Sequence, residues 1–336
     1  MKILVTGGGG FLGQAIVKRL LARGDHVRVL NRRAYPTLEA LGVDCRLGDV
    51  ADEAAVVAAS EGVQAIFHVA AKAGSGLNRE AFVKANVQGT DNVLTACRAH
   101  GIEHLVYTSS PSVVHGGGDI EGGDESLPYP DHFVAPYPET KALAEQRVLA
   151  AGREGLKTVA LRPHLIWGPG DNQLLPRLIE KNRRGIRLPA PHKRIDTVYI
   201  DNAAQAHVQA LDALQANPAI SGSAYFISNG EPMAIETVMA QLLTAAGEVP
   251  NIRSVPLPVA VWMGRVVEGI WRALNLQSEP PVSRFVVEHL STSHWYRLDR
   301  ARQALGYAPQ VSMAQGFERL RERQSLKTRS GQDRFK

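Results

Sequence analysis

Tyr137-Pro138-Glu139-Thr140-Lys141 places a phenol and an ammonium four residues apart. On a helix that spacing puts both side chains on one face, one turn apart. Pro138 suits a first helical turn. A lysine ammonium beside a tyrosine favours the phenolate and lowers the phenol's pKa. The tyrosine can then exchange a proton with an alcohol or carbonyl oxygen near neutral pH. Tyr107-Thr108-Ser109-Ser110 adds two hydroxyls at the end of an apolar run. A serine at the carboxyl edge of a parallel sheet sits where ligands bind in such folds, and its hydroxyl can hold a reacting oxygen. Each motif alone has a plain alternative: a solvated Tyr/Lys pair, or a serine that caps a turn.

A third motif precedes these in the chain. Thr6-Gly7-Gly8-Gly9-Gly10-Phe11-Leu12-Gly13 follows a first apolar run, with Gly7, Gly10 and Gly13 three apart. Glycines there allow a tight turn, close approach of backbone to a pyrophosphate, and close helix–strand packing. The helix that opens at Phe11 offers free N–H groups and a positive dipole end to phosphates. No Lys-Ser/Thr pair follows, which disfavours an ATPase. The second strand ends Asn31-Arg32-Arg33, where an NAD site usually carries a carboxylate for the ribose 2′-hydroxyl. An arginine can pair with a 2′-phosphate and no carboxylate opposes it, so NADP(H) is the expected cofactor.

These motifs need a scaffold that aligns strand ends. Lys2–Thr6, His26–Leu30, Asp44–Leu47, Gln64–Val69, Glu103–Thr108 and Lys157–Leu161 read as buried strands. Phe11–Arg23, a run from about Asp52, Glu80–His100 and Tyr137–Gly152 read as helices between them. The alternation predicts an α/β fold, a Rossmann-type doubly wound parallel sheet, with a smaller and mostly C-terminal substrate domain. The expected division is 1–165 for the NADP-binding domain, with 195–230 returning to it, 166–194 and 231–322 for the substrate domain, and 323–336 as a basic, disordered tail. His115–Pro136, rich in Gly, Pro and acids, reads as a mobile rim of the site.

Composition sets limits. The 336 residues carry a net charge of +5, matched by the surplus of basic residues from Arg319 to Lys336, so the rest of the chain is near neutral and a nucleic-acid partner is not expected. Cys45 and Cys97 fall in neither a metal-type nor a redox-type spacing, and no metal site is expected. Met1–Val5 runs straight into the glycine turn, which leaves no signal peptide and suggests a cytoplasmic setting. Val255–Leu276 is the most apolar stretch, but Arg265, Glu268 and Arg272 interrupt it. It is expected to be buried or to face a partner, such as another pathway enzyme or a membrane surface contacted peripherally.

Taken together, the motifs resemble the extended short-chain dehydrogenase/reductases, and more narrowly their 3β-hydroxysteroid dehydrogenase-like group. The resemblance rests on Gly7–Gly13, Gly48-Asp49-Val50, His68-Val69-Ala70-Ala71, Asn86-Val87-Gln88-Gly89-Thr90, Tyr107–Ser110, Tyr137–Lys141, Leu161-Arg162-Pro163 and Gly168-Pro169-Gly170-Asp171. Within the group, Asn31-Arg32-Arg33-Ala34-Tyr35-Pro36 and Ser291-Thr292-Ser293-His294-Trp295-Tyr296 are similar to the bacterial 2-alkyl-3-oxoalkanoate reductases of long-chain olefin biosynthesis.

The resemblance implies Ser110, Tyr137 and Lys141 as the catalytic set, with Ser109 the second choice for the serine and Pro111 a departure from the pattern. It implies cofactor contacts at Gly7, Gly10, Phe11, Leu12, Gly13, Asn31, Arg32, Arg33, Asp49, Val50, Ala70, Ala71, Asn86, Lys141 and Pro163. Asp49 would meet the adenine, Ala70 and Ala71 would line the channel, Lys141 would hold the nicotinamide ribose, and Asn86 would help order the site. The substrate implied is a lipid-like long-chain 3-oxoacid reduced to the 3-hydroxyacid, with Arg187, Lys193 or Arg194 available to its carboxylate. A sterol or nucleotide sugar, or a dinucleotide-sensing regulatory role, are the alternatives. Helices after Glu80 and Tyr137 would pair in a homodimer.

Overall fold

A computed structural model describes residues 1–276 and 278–332. Its centre is a seven-stranded sheet. From edge to edge the strands are Ser223–Ile227, Lys157–Pro163, His104–Thr108, Ala65–His68, Lys2–Thr6, His26–Asn31 and Asp44–Leu47. Every neighbouring pair is parallel. Ile3, Leu4 and Val5 are fully buried, as are Ile66, Phe67, Leu105 and Val106. Consecutive apolar residues are what a strand covered on both faces requires. Helices supply that cover, among them Phe11–Ala22, Gly89–His100, Pro136–Arg153 and Ile200–Ala216.

The chain leaves Lys2–Thr6 toward His26–Asn31 on one side, then places Ala65–His68 on the other. The order therefore reverses at Lys2–Thr6, and a crevice opens at the carboxyl ends of these two strands. The glycine turn, the serines and the start of the helix Pro136–Arg153 all lie at this edge of the sheet.

Some elements differ from the sequence expectation. Glu80–His100 is not one regular helix: Arg79–Phe82 and Gly89–His100 flank a π-helical stretch, Val83–Gln88. The segment 115–136, expected as a mobile rim, contributes a strand, Ile120–Gly123. This strand pairs with His294–Tyr296 in a second sheet that also holds Arg194–Ile195 and Met233–Ala234. The last helix, Met313–Gln332, carries the backbone through residues 323–332 of the stretch expected to be a disordered tail. Residues 333–336 of that stretch lie outside the described residues.

The apolar segment forms the helix Leu257–Ala273 with its large side chains turned outward. Val259, Trp262, Val266 and Ile270 are exposed, while Ala260, Gly264 and Glu268 are buried. The inward face is small because the helix Arg284–Ser291 packs close: a Cβ on Gly264 would lie 3.4 Å from the Arg284 nitrogen. Glu268 is held there by Arg284 at 3.0 Å. Among the described residues no helix is long and apolar enough to cross a membrane.

Candidate active site

Gly7 closes the first strand with φ +68°, a region that L side chains rarely enter. A Cβ there would also lie 2.9 Å from the Ala70 Cα. The turn can thus seat against the Ala70-Ala71 segment only with glycine at this position. A Cβ on Gly13 would meet the Gly7 carbonyl oxygen at 2.2 Å, so this glycine sets how closely helix and turn pack. Gly10 is the N-cap of Phe11–Ala22; it lends no side-chain cap, and the first turn holds no acid. The backbone N–H groups at Phe11, Leu12 and Gly13 are left for an anion, which is what a pyrophosphate needs.

Asn31 ends the second strand buried, and its Oδ1 accepts from the Gly9 N–H at 2.9 Å. Where a ribose-binding carboxylate would stand, a neutral amide braces the glycine turn. Arg32 and Arg33 are exposed. Arg33 lies over the Tyr35 ring and donates to its hydroxyl at 2.9 Å. Arg32 makes no hydrogen bond or ion pair among the described residues. Tyr35, quoted from sequence only as part of the resemblance and given no role in the site, packs on Gly9, where a Cβ would fall 2.1 Å from its ring. Asp49 folds back to accept from the Ala51 N–H at 3.0 Å, and Val50 is buried. The residues present fit a nicotinamide dinucleotide.

A hydrogen-bonded chain runs beneath the crevice. The N–H groups of Val69 and Ala70 donate to Thr6 Oγ1, each at 3.2 Å. Thr6 Oγ1 lies 2.7 Å from His68 Nδ1, and His68 Nε2 lies 3.0 Å from Thr90 Oγ1. Thr90 gives its own proton to the Asn86 carbonyl oxygen at 2.7 Å. It must therefore accept from His68 Nε2–H, which leaves His68 Nδ1 to accept from Thr6. Burial pushes His68 down to about 3, so the ring stays neutral in this role. Asn86, in the π-helical stretch, accepts from the Lys72 N–H at 2.7 Å and donates to the Lys72 carbonyl and to Thr140 Oγ1, both at 3.0 Å. It ties the strand-end segment to the helix that carries Tyr137 and Lys141.

Tyr137 and Lys141 do share a face of the helix Pro136–Arg153. The Ser110 side chain lies near enough to the Tyr137 hydroxyl to oppose the effect of burial on the phenol, and its Oγ is 2.9 Å from Ser112 Oγ. Ser110 caps the 3-10 turn Pro111–Val114, accepting from the Ser112 N–H at 3.3 Å, so Pro111 starts that turn without drawing the serine away from the tyrosine. Ser109 points elsewhere: its Oγ is buried and finds no partner among the described residues. Lys141 is 2 % exposed, donates to the Thr108 carbonyl at 2.5 Å and lies 4.1 Å above the Tyr107 ring. Burial lowers it to about 7, opposed by Glu145.

From sequence, Lys141 should pull the Tyr137 phenol down. Instead burial holds the phenol above its ordinary value, opposed only by the Ser110 side chain, and the ammonium is aimed at Thr108. Desolvation of a phenolate outweighs a cation that points away. One turn on, Glu145 forms a buried pair with Arg162, the closest contact 2.6 Å, which fastens the helix to the strand ending at Pro163. Of the cations considered for a carboxylate, Lys193 pairs with Asp119, and Arg194 donates to the Pro232 carbonyl at 2.7 Å. Arg187 is exposed on a short strand.

Comparison with known proteins finds relatives over nearly the whole chain. The model of the 3-beta hydroxysteroid dehydrogenase/isomerase family matches residues 4–259. A 2-alkyl-3-oxoalkanoate reductase of Stenotrophomonas maltophilia is 51% identical over 96% of this chain and 98% of its own. The human sterol-4-alpha-carboxylate 3-dehydrogenase, decarboxylating, is 35% identical over 94% of this chain and 86% of its own. Among solved structures, the Thermus thermophilus UDP-glucose 4-epimerase complex with NAD superposes with a TM-score of 0.72 at 26% identity, covering 96% of this chain and 98% of the other.

Proposed function

This chain belongs to the 3-beta hydroxysteroid dehydrogenase/isomerase family, and from that membership we propose that it is an NADPH-dependent reductase of 2-alkyl-3-oxoalkanoates, forming the 3-hydroxyacid. Its family and relatives are named as dehydrogenases and reductases, and the Thermus thermophilus epimerase that shares its fold holds NAD. The observation that carries the chemistry is the gathering of Ser110, Tyr137 and the buried Lys141 at the carboxyl edge of the sheet, with Lys141 one helical turn from Tyr137. The substrate class is taken over from the Stenotrophomonas relative. Support for NADPH comes from the neutral Asn31 and the uncommitted Arg32 beside it.

The glycine turn and the uncapped helix start would hold the pyrophosphate, Arg32 the 2′-phosphate and Lys141 the nicotinamide ribose. When bound, the reduced nicotinamide supplies hydride to the ketone carbon. Tyr137, kept protonated by burial, gives its proton to the oxygen that becomes the alcohol. Ser110, beside that phenol, would hold the same oxygen in reach. Once turned from the Thr108 carbonyl, the protonated form of Lys141 would stabilise the phenolate left behind. Asn86 and the Thr6–His68–Thr90 chain keep the walls of the crevice in register.

Initial rates with NADPH and NADH against 3-oxoacids of graded length, a steroid and a nucleotide sugar test the reading. Each methylene buried contributes about 0.8 kcal/mol, so kcat/KM with NADPH should rise several-fold per carbon and then level off. A flat response to chain length, or faster turnover of the steroid or nucleotide sugar, moves the substrate elsewhere in the family and leaves the Ser/Tyr/Lys chemistry standing.

A further inference from the structure

Three ligating side chains converge beside the site without a part in the chemistry above. His115 ends the turn that follows Ser110, and Glu288 and His289 are neighbours on the helix Arg284–Ser291. Their nearest ligand atoms lie within 4.8 Å of one another, and His115 Nδ1 is 3.1 Å from Glu288 Oε1. From sequence no metal site is expected; His115 and Glu288 lie 173 residues apart in the chain.

The hydrogen bonds around the cluster fix where its lone pairs point. His289 Nδ1 lies 3.1 Å from the Phe285 carbonyl oxygen. A carbonyl only accepts, so Nδ1 carries the proton and Nε2 keeps its lone pair. His115 Nε2 lies 3.2 Å from Thr292 Oγ1, and Thr292 donates its one proton to the Glu288 carbonyl at 2.9 Å. Thr292 must therefore accept from His115 Nε2–H. His115 Nδ1 then faces a Glu288 carboxylate oxygen at 3.1 Å. Either a proton on Nδ1 or a metal ion between the two atoms satisfies both, and metal binding displaces that proton.

We propose that this cluster binds one divalent transition-metal ion of the zinc type, through His115 Nδ1, His289 Nε2 and the Glu288 carboxylate. Two imidazoles and a carboxylate suit zinc and leave a fourth position for water. Ligand atoms on a tetrahedral zinc stand roughly 3.3 Å apart for bonds of about 2.0 Å, so the His115–Glu288 pair already has nearly the right spacing. Thr292 and the Phe285 carbonyl would be the outer partners that orient the two rings, as metal-bound histidines require. The Glu288 side chain keeps 17% of its surface exposed against 2% for His115, which gives the ion a way in. Phe285 packs on His289 at 4.2 Å and on Tyr137 at 6.4 Å between ring centroids. A bound ion would thus brace the wall against which Tyr137 rests.

The test is titration of the untagged, chelator-stripped full-length protein near neutral pH, with Zn²⁺ by calorimetry and with Co²⁺ by its visible d–d absorption. The expected result is one equivalent bound at micromolar affinity or tighter. Glu288→Gln and His289→Gln should each abolish that uptake. Thr292→Val, which keeps all three ligands, should weaken it by about 10–100-fold. His26→Gln, an exposed histidine elsewhere, should change nothing. No uptake by the wild type, or uptake unaltered in the ligand variants, overturns the proposal and leaves His115 and Glu288 as a hydrogen-bonded pair.

Discussion

Asn86→Ala is the perturbation that separates positioning from chemistry. Asn86 is 1% exposed and spends its amide on three hydrogen bonds, two to the Lys72 backbone and one to Thr140. Each such bond contributes about 1 kcal/mol net, and each buried polar group left stranded costs about 1–3 kcal/mol. The Lys72 N–H and carbonyl lose their partner, whereas Thr140 keeps its bond to the Pro136 carbonyl. The loss of stability should come to about 3–5 kcal/mol, read by urea denaturation. Thr140 sits between Tyr137 and Lys141 on the same helix, so the variant also loosens the catalytic pair. A misplacement of about 1 Å can cost about a hundred-fold in rate, and kcat should fall by that order while NADPH affinity falls less. A variant that loses under about 1 kcal/mol and keeps kcat within about two-fold would refute the claim that Asn86 ties the crevice to the catalytic helix.

Arg32→Ala should weaken NADPH about ten-fold to a hundred-fold, the worth of one charged hydrogen-bonded contact, and leave NADH nearly unchanged; equal losses for both in fluorescence titrations would remove Arg32 from the 2′-phosphate. Reduction needs the acid forms of Tyr137 and Lys141. Burial keeps the phenol protonated and brings Lys141 to about 7, so kcat/KM for reduction should fall as pH rises through about 7. The same lowered lysine binds fewer protons folded than unfolded between about 7 and its ordinary 10.5, so stability should rise with pH across that window, and Lys141→Met should flatten both profiles. Glu145→Ala strands the buried Arg162 guanidinium and should cost about 3–5 kcal/mol in a urea melt, and a loss below about 1 kcal/mol would show the pair to be dispensable.

Strands and helices of the sheet were legible because their residues repeat with the period of the element. Lys2–Thr6 and Asp44–Leu47 match to the residue, and Tyr137 with Lys141 lands on one helix face as the four-residue spacing requires. The π-helical stretch around Asn86 was not legible, since its extra residue per turn is set by the contact with Thr140 and Lys72 rather than by periodicity. Ile120–Gly123 escaped notice because two of its four residues are glycine and its partner strand lies 174 residues on. For Leu257–Ala273 the amphipathic pattern is plain, but which face turns inward depended on Gly264 admitting a neighbouring helix. Ser110 was preferred to Ser109 by the resemblance alone; in space the Ser109 Oγ is buried without a hydrogen-bond partner among the described residues.

Tyr137→Phe tests the central claim most directly. The change keeps the ring and its packing on Phe82 and Phe285 and removes only the proton that the mechanism spends. With NADPH and a long-chain 2-alkyl-3-oxoacid, the expected result is a fall in kcat of roughly 10²–10⁴, with NADPH binding by fluorescence titration unchanged. Turnover close to that of the wild type would contradict the account, because Tyr137 would then not be the acid.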